Sequence, residues 1–432
     1  MPAPRPWVRR VYAAALYLFA PLIWRRVWRE QLPGRSRRER LGCIPPSAAG
    51  EYTLWLHCAS VGEVQAARPL VEALGQRCPG YRLVITTMTA TGAERVLALA
   101  ESRRNSEDSA EVSHHFVPLD FPGSARRFVA RLRPDLAIFF ETELWPNLLA
   151  SCERSGVPVA VVNGRLSPRA FRGYRRLRPL MAEALSHVAW LAAKSEADAR
   201  RFIELGMAPA RTTVVGSLKF DITAGGDQEV SERLRTRFGR RPVWIAGSTH
   251  PGEDEQVLAA HAHLRKRLPD ALLVLVPRHP RRFDEVAALC RQAGLTLARR
   301  SRDQWPGDDT AVYLGDSMGE LLALYGAADL AFVGGSLVPI GGHNLLEPAA
   351  VGTPVLTGPA LANFEDVAEA MRAAGALVEV DNAEALAAEL WRLFGDREAR
   401  HRLAAVGREV VAANRGALAR TMVGLEGLMQ AE

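Results

Sequence analysis

From about residue 50 onward, short unbroken apolar runs alternate with stretches whose apolar residues recur at helical spacing. The first half offers TLWLHC, RLVITT, HHFVPL, DLAIFF, PVAVVN, WLAAKS and TTVVGS, and the second PVWIAGS, ALLVLVP, AVYLGD, DLAFVGGS and PVLTGP. Continuous apolar runs of this length are what strands buried on both faces look like. Between them lie helical patterns: Val64, Ala67, Leu70, Val71 and Leu74 fall on one face. Strand alternating with helix predicts parallel sheets covered by helices, hence an α/β chain of two doubly wound, Rossmann-like domains.

The expected organisation is an N-terminal segment with a basic linker (1–50), a first domain (51–222), an interdomain linker (223–240) and a second domain (241–432). The polar DITAGGDQEVSERL marks the linker, and the last helix, after about residue 405, can pack on either domain.

Residues 1–40 break the pattern. VYAAALYLFAPLIW (Val11–Trp24) is uncharged and mostly apolar, between Arg9-Arg10 and Arg25-Arg26. It falls short of the roughly 20 residues of a spanning helix, so it predicts an anchor lying in a membrane interface. RRVWRE follows where a signal peptide would show small residues. The segment also accounts for the charge. Ten Arg face two Glu in residues 1–40, whereas 45 basic and 46 acidic residues share the rest of the 432-residue chain. The basic pI of about 9.4 is therefore a property of the N-terminus, not the stripe of a nucleic-acid-binding surface. Five cysteines without a C-x-x-C pair suit a reducing compartment.

In doubly wound sheets ligands bind beyond the carboxyl ends of the strands, and unusual residues collect there. In the first half these are Glu63, Glu141, Asn163-Gly164-Arg165 and Lys219. In the second they are Ser248-Thr249-His250, Pro277-Arg278-His279 and the glycine-rich GGSLVPIGGHNLLEP. Two such edges suggest one cleft between two domains.

Glu63 has two readings. Ser60-Val61-Gly62-Glu63 spells a capping box, in which each residue satisfies the other's backbone N–H. The same carboxylate, at the mouth of a sheet, is also a candidate base. ETELWPN sets Glu141 and Glu143 two apart, and without D-x-D or a His/Cys cluster Glu141 reads as an orienting group rather than a metal ligand. Lys219 is one of three lysines against fifty-two arginines, which suggests a need for a compact cation there. Arg278 ends a strand with a guanidinium suited to phosphate. Glu320 begins a helix, where it complements the dipole. Asn344 can open a helix whose N–H groups face an anion, and Glu347 can accept from ribose hydroxyls. There is no P-loop and no G-x-G-x-x-G after a strand, which argues against a triphosphate hydrolase or a dinucleotide oxidoreductase.

ASVGE, TTMTATG, ETELWPN, NGRLS, GSLKFD, GSTHPGEDE, LVPRHPRRF, GDSMGELLALY and FVGGSLVPIGGHNLLEPA, in this order, resemble the motifs of the bacterial 3-deoxy-D-manno-octulosonic acid (Kdo) transferases. The resemblance spans nearly the whole chain. It implies the glycosyltransferase B fold, two Rossmann-like domains facing a central cleft, with an N-terminal membrane-anchoring helix on the cytoplasmic face of the inner membrane. It implies inverting transfer of Kdo from CMP-Kdo to the lipid A precursor (lipid IVA), in lipopolysaccharide synthesis, with no metal and no other cofactor. Glu63 matches the family's catalytic base, and Glu141 and Lys219 its transition-state-stabilising positions. Pro277, Arg278, Met318, Gly319, Glu320, Asn344, Leu345, Leu346 and Glu347 match its CMP site. Two departures are Gly164, where relatives often have Ala, and ESRRNSEDSAEVSHH, which reads as a loop insertion. Two alternatives stay open: a UDP-sugar enzyme of the same fold, and a non-catalytic membrane-anchored binding module.

Overall fold

The computed structural model describes residues 6–27, 30–48, 50, 52–103, 111–221 and 228–430. The chain forms two compact units, Met1–Asp221 with Arg415–Glu432, and Ile222–Asn414.

The first unit is built on a seven-stranded, wholly parallel sheet. Its strands are β1 (Tyr52–His57), β2 (Tyr81–Thr87), β3 (Val112–Phe116), β4 (Leu136–Phe140), β5 (Val159–Gly164), β6 (Trp190–Ala193) and β7 (Thr212–Val214), in the order β3-β2-β1-β4-β5-β6-β7. Alternate side chains of one strand serve two cores: Trp55, Phe139 and Val161 lie in one, and Leu54, Leu56, Ile138 and Val162 in the other. That two-sided burial is why these strands read as unbroken apolar runs. The predicted helical face is buried throughout, with Val64, Ala67, Leu70, Val71 and Leu74 all at 3% exposure or less. It is carried on two successive helices, Val61–Ala66 and Arg68–Arg77, because Pro69 has no N–H to continue the ladder.

The second unit holds another seven-stranded parallel sheet, with β8 (Val243–Thr249), β9 (Leu272–Pro277), β10 (Leu297–Arg299), β11 (Val312–Leu314), β12 (Leu330–Val333), β13 (Val355–Thr357) and β14 (Leu377–Glu379) in the order β10-β11-β9-β8-β12-β13-β14. Five of these carry the predicted runs. β10 and β14 have three residues each, at the two edges. An edge strand so short need not be continuously apolar, so the pattern passes over it.

Two boundaries differ from the sequence expectation, and the last helix takes one of the two placements it allowed. The linker expected over 223–240 contains a helix, Gln228–Phe238, whose Leu234 and Phe238 are buried and whose Phe238 ring meets Tyr313 at 5.4 Å between centroids; residues 222–227 lie outside the described residues. The second unit ends at Asn414. The last helix, Ala417–Met429, packs in the first unit, where Asp221 accepts the Gly416 and Leu418 amides at 2.6 and 2.5 Å and Arg420 donates to the Val215 carbonyl. Most of the expected loop insertion, 104–110, also lies outside the described residues.

The N-terminal apolar run forms two helices, Pro6–Leu18 and Ala20–Val27, instead of one. Val8 and Tyr12 pack on the first unit's core, and Arg9 pairs with the buried Glu183 at 2.7 Å. Tyr17, Leu18, Phe19 and Leu22 remain 53–75% exposed. No helix among the described residues is long and apolar enough to cross a membrane.

Candidate active site

Glu63 stands in the turn between β1 and the helix Val61–Ala66. Ser60 caps that helix, its Oγ accepting the Glu63 amide. The Glu63 carboxylate returns the bond differently from the expected box. Oε1 accepts the Ser60 hydroxyl at 3.0 Å, and Oε2 accepts the backbone N–H of Ala59, not Ser60, at 2.8 Å. Burial, then the charge of Glu143, pushes the carboxyl up to about 7, with Glu141 adding to the shift and the Ala59 amide and His57 opposing it. A carboxyl poised there exchanges its proton near neutrality, as a general base must.

The loop after β4 holds the other two carboxylates. Glu141 has φ of 63°, a left-handed conformation that costs a non-glycine residue and persists where the surroundings enforce it. Its amide is fixed to the Val162 carbonyl at 2.9 Å. Glu143 accepts the Trp145 indole N–H at 2.7 Å and faces His57, Oε2 to Nε2 3.6 Å. Burial would raise Glu143, but His57 and Trp145 hold it below the ordinary carboxylate range. The buried His57 is oriented in turn by Thr86, whose Oγ1 lies 2.9 Å from Nδ1 and accepts the Trp55 indole N–H. The rest of ETELWPN is structural. Asn147 and Leu148 donate their amides to the buried Asp120 at 3.1 and 2.8 Å, which starts the next helix.

Lys219 lies in a single turn, Leu218–Phe220, after β7. The Leu218 amide leans on the Asn163 side chain at 3.4 Å, and Asn163, next to last in β5, has φ of 53°. The structure thus gathers Glu63, Glu141, Glu143 and His57 into one electrostatic group and sets Lys219 beside the end of β5.

In the second unit the glycine-rich loop is organised by a residue given no role from the sequence. Glu253, wholly buried, accepts four backbone N–H groups: His250 at 3.0 Å, Gly335 at 2.6 Å, and Ser336 and Leu337 at 2.9 Å each. Gly342 donates back to Gly335 at 2.7 Å. The amides of Gly335, Ser336, Leu337 and Gly342 are thus spent inside the protein, where the glycines give the backbone its path. At Gly358 a side chain would meet the Ser336 carbonyl 2.3 Å away.

Arg278 follows β9, exposed, with its amide on the Thr249 carbonyl at 3.0 Å. Ser248, at a register shift of β8, has φ of 59°, and His250 follows with its Nε2 2.8 Å from His343 Nε2. Glu320 pairs with Arg300 at 3.0 Å and with the Ser317 hydroxyl; the first opposing influence is burial, yet these partners hold it below its ordinary range. Met318 is 69% exposed and Gly319 has φ of 87°. Asn344, just before the short helix Leu346–Val351, accepts the Leu346 amide at 3.1 Å, and its Nδ2 donates to Glu347 at 3.2 Å. Burial pushes Glu347 up, against Asn344 and Arg278. Leu345 and Leu346 are fully buried, so any ligand meets only their backbone. Pro277, the last residue of β9, is buried too.

His57, Glu253 and His343 are what sequence reasoning passed over. His57 and His343 sit inside an apolar and a glycine-rich run, Glu253 among the acidic residues that open a helix, and each acts through partners distant in sequence.

Comparison with known proteins adds the following. Residues 35–222 match the family described as 3-deoxy-D-manno-octulosonic-acid transferase, and residues 253–410 that described as glycosyl transferases group 1. A 3-deoxy-D-manno-octulosonic acid transferase of Haemophilus influenzae is 38% identical over 427 residues, 96% of this chain and 97% of that protein. A solved C-terminal CMP-Kdo binding domain from Acinetobacter baumannii is 34% identical, spanning 43% of this chain and 97% of its own, with a TM-score of 0.42. A UDP-GlcNAc 2-epimerase from Neisseria meningitidis, 14% identical, covers 87% of this chain and 100% of its own with a TM-score of 0.55, a likeness of fold.

Proposed function

The chain belongs to the 3-deoxy-D-manno-octulosonic acid transferase family, and we propose that it moves Kdo from CMP-Kdo to the lipid A precursor with Glu63 as general base. It is a glycosyltransferase of lipopolysaccharide synthesis, built of two parallel-sheet, Rossmann-like units of the glycosyltransferase B kind.

The observation that carries the mechanism is the Glu63 carboxyl, fixed by Ala59 and Ser60 and raised to about 7. An acceptor hydroxyl is a weak nucleophile at neutral pH. Glu63 takes its proton as the oxygen attacks the anomeric carbon. The bond from that carbon to the CMP phosphate breaks on the opposite face, so the configuration inverts. The leaving phosphate gains charge, which Arg278 and Lys219 offset. Glu141, held at its strained φ, orients the reacting groups, and Glu347 with Asn344 receives the ribose.

The same reading covers the N-terminus. Helices Pro6–Leu18 and Ala20–Val27 present Tyr17, Leu18, Phe19 and Leu22 outward, beside the arginine surplus of residues 1–40. Apolar side chains with flanking cations suit the cytoplasmic interface of an anionic inner membrane, where a lipid acceptor resides. Mass spectrometry of the lipid after incubation with CMP-Kdo tests the function. A lipid IVA peak gaining the mass of Kdo supports it; an unchanged lipid, or a gain only with a UDP-sugar, overturns it.

A further inference from the structure

We propose that His250 and His343 form a proton-linked subsite for the carboxylate of the transferred sugar acid. This rests on the reading of the donor as CMP-Kdo, which carries two negative groups, a phosphodiester and a carboxylate.

The two imidazoles face each other, Nε2 to Nε2 at 2.8 Å, with their rings nearly parallel, 12° apart, and His279 meets His250 edge-on at 5.3 Å between centroids. At 2.8 Å one nitrogen must carry a hydrogen and the other accept it, so the pair is complete with both rings neutral. A proton added at Nδ1 of the donating ring, the lone pair that this hydrogen bond leaves open, places a full charge on the pair, which then needs an anion. The pair stands where β8 ends and the glycine-rich loop passes, the carboxyl edge at which sheets of this kind take ligands.

Elimination strengthens the assignment. The amides of Gly335, Ser336 and Leu337 all serve Glu253. The Leu346 amide serves Asn344. Those four amides are engaged within the protein, whereas the cationic side chains at this edge face outward to an anion. Arg278 suits the phosphodiester through its planar fork, and the second negative group falls to the histidines. Nothing about a purely structural histidine pair calls for a backbone at φ of 59° two residues before it; strain of that kind is a recurrent mark of functional sites.

The electrostatic setting favours neutral rings until an anion arrives. Burial first, then His250, Arg278 and His279, lower His343 to about 4. Burial, His279, Arg278 and Arg282 lower His250, and Glu253 alone opposes them. These are the groups facing the pair, and all but Glu253 are cationic or can become so. An incoming carboxylate reverses that balance and raises the affinity of the rings for a proton. Binding and protonation are then coupled: the donor binds more tightly as pH falls.

The test compares CMP-Kdo with the methyl ester of CMP, a phosphodiester that lacks the carboxylate. For the parent protein, the KM for CMP-Kdo should fall about three- to tenfold from pH of about 8 to about 6, short of the tenfold per unit that full uptake of one proton would give. The inhibition constant of the methyl ester should stay level. In His343→Asn, and in His343→Gln as a second variant checked for its melting temperature, the KM for CMP-Kdo should rise and lose its slope, with the methyl ester unaffected. An equal slope for both ligands would assign the pair to the phosphate and overturn the carboxylate subsite, as would a slope that survives in either variant. A parent protein that binds neither ligand would overturn the donor reading itself, a result distinct from a flat profile.

Discussion

Glu63 Oε2 accepts the backbone N–H of Ala59 at 2.8 Å while Oε1 accepts the Ser60 hydroxyl. One side chain therefore closes the turn after β1 and places a carboxyl with a raised pKa among Glu143, Glu141 and His57. Capping and proton transfer ask different things of it. A cap needs an acceptor, which Gln also supplies; a base needs a group that binds a proton near neutrality, which Gln is not. Glu63→Gln should keep its melting temperature to within a few degrees and lose roughly 10²–10⁴ in kcat. Thermal denaturation and single-turnover transfer measure the two separately. A Gln variant turning over at the parent rate would leave Glu63 a cap only.

The pH profile follows from the same neighbours. As the proposed base Glu63 acts deprotonated, so on that mechanism kcat should rise with pH through a midpoint near 7, where its carboxyl titrates. Burial is the main cause of the shift and Glu143 the next. Removing that negative charge in Glu143→Gln should move the midpoint toward lower pH. For stability the sign is opposite. The folded state holds the Glu63 proton up to about 7 and the unfolded chain releases it near 4.5, so folding weakens as pH rises across that window. Glu63→Gln should flatten that part of the stability profile, read by denaturant titration at several pH values.

The parallel sheets were legible because burial on both faces writes itself as unbroken apolar runs, as in Leu136–Phe140 and Leu272–Pro277. β10 and β14 were not, because three edge residues carry no pattern of their own. The ends of strands were legible as breaks in the pattern: Glu63, Glu141 and Arg278 stand out as charges that follow apolar runs. What interrupts a run does not reveal what it touches. The pairing of His250 with His343 joins residues 93 apart, and the clasp of Glu253 on Gly335 joins residues 82 apart. Capping geometry was also beyond reach, since Ser60 and Ala59 differ by one position and only the turn's backbone selects between them.

Arg278→Ala should weaken CMP binding by about 2 kcal/mol, the scale of a hydrogen bond to a charged group. Arg278 is exposed and follows β9, so the melting temperature should hardly change. Calorimetric titration with CMP checks it, and an unchanged affinity would remove Arg278 from the nucleotide site.

Deleting residues 1–27 takes away both N-terminal helices and with them the exposed Tyr17, Leu18, Phe19 and Leu22. It also uncovers the part of the first unit's core on which Val8 and Tyr12 rest. A gentler variant leaves that packing in place: Leu18→Ser with Leu22→Ser alters only the outward face. It should keep CMP binding and lower both sedimentation with anionic vesicles and transfer to acceptor embedded in them. Unchanged partitioning into vesicles would show that this face does not hold the protein to a membrane.

Glu253 gives the sharpest separation of architecture from chemistry. Its carboxylate is wholly buried and satisfies four backbone N–H groups, from His250 on one side and Gly335, Ser336 and Leu337 on the other. No water-exposed group substitutes when it is removed, and each stranded amide costs on the order of 1–3 kcal/mol if the loop stays in place. The loop will instead move to find water, carrying His343 and Asn344 with it. Glu253→Ala should therefore lower the melting temperature and abolish CMP binding together. Glu253→Gln keeps one acceptor oxygen but places an NH₂ against backbone donors, so it too should destabilise, by less. CMP added at saturating concentration should restore part of the lost stability in the Gln variant, because ligand binds only the ordered loop. Were Glu253→Ala to melt with the parent and still bind CMP, the carboxylate would not be what holds the loop in its ligand-ready form.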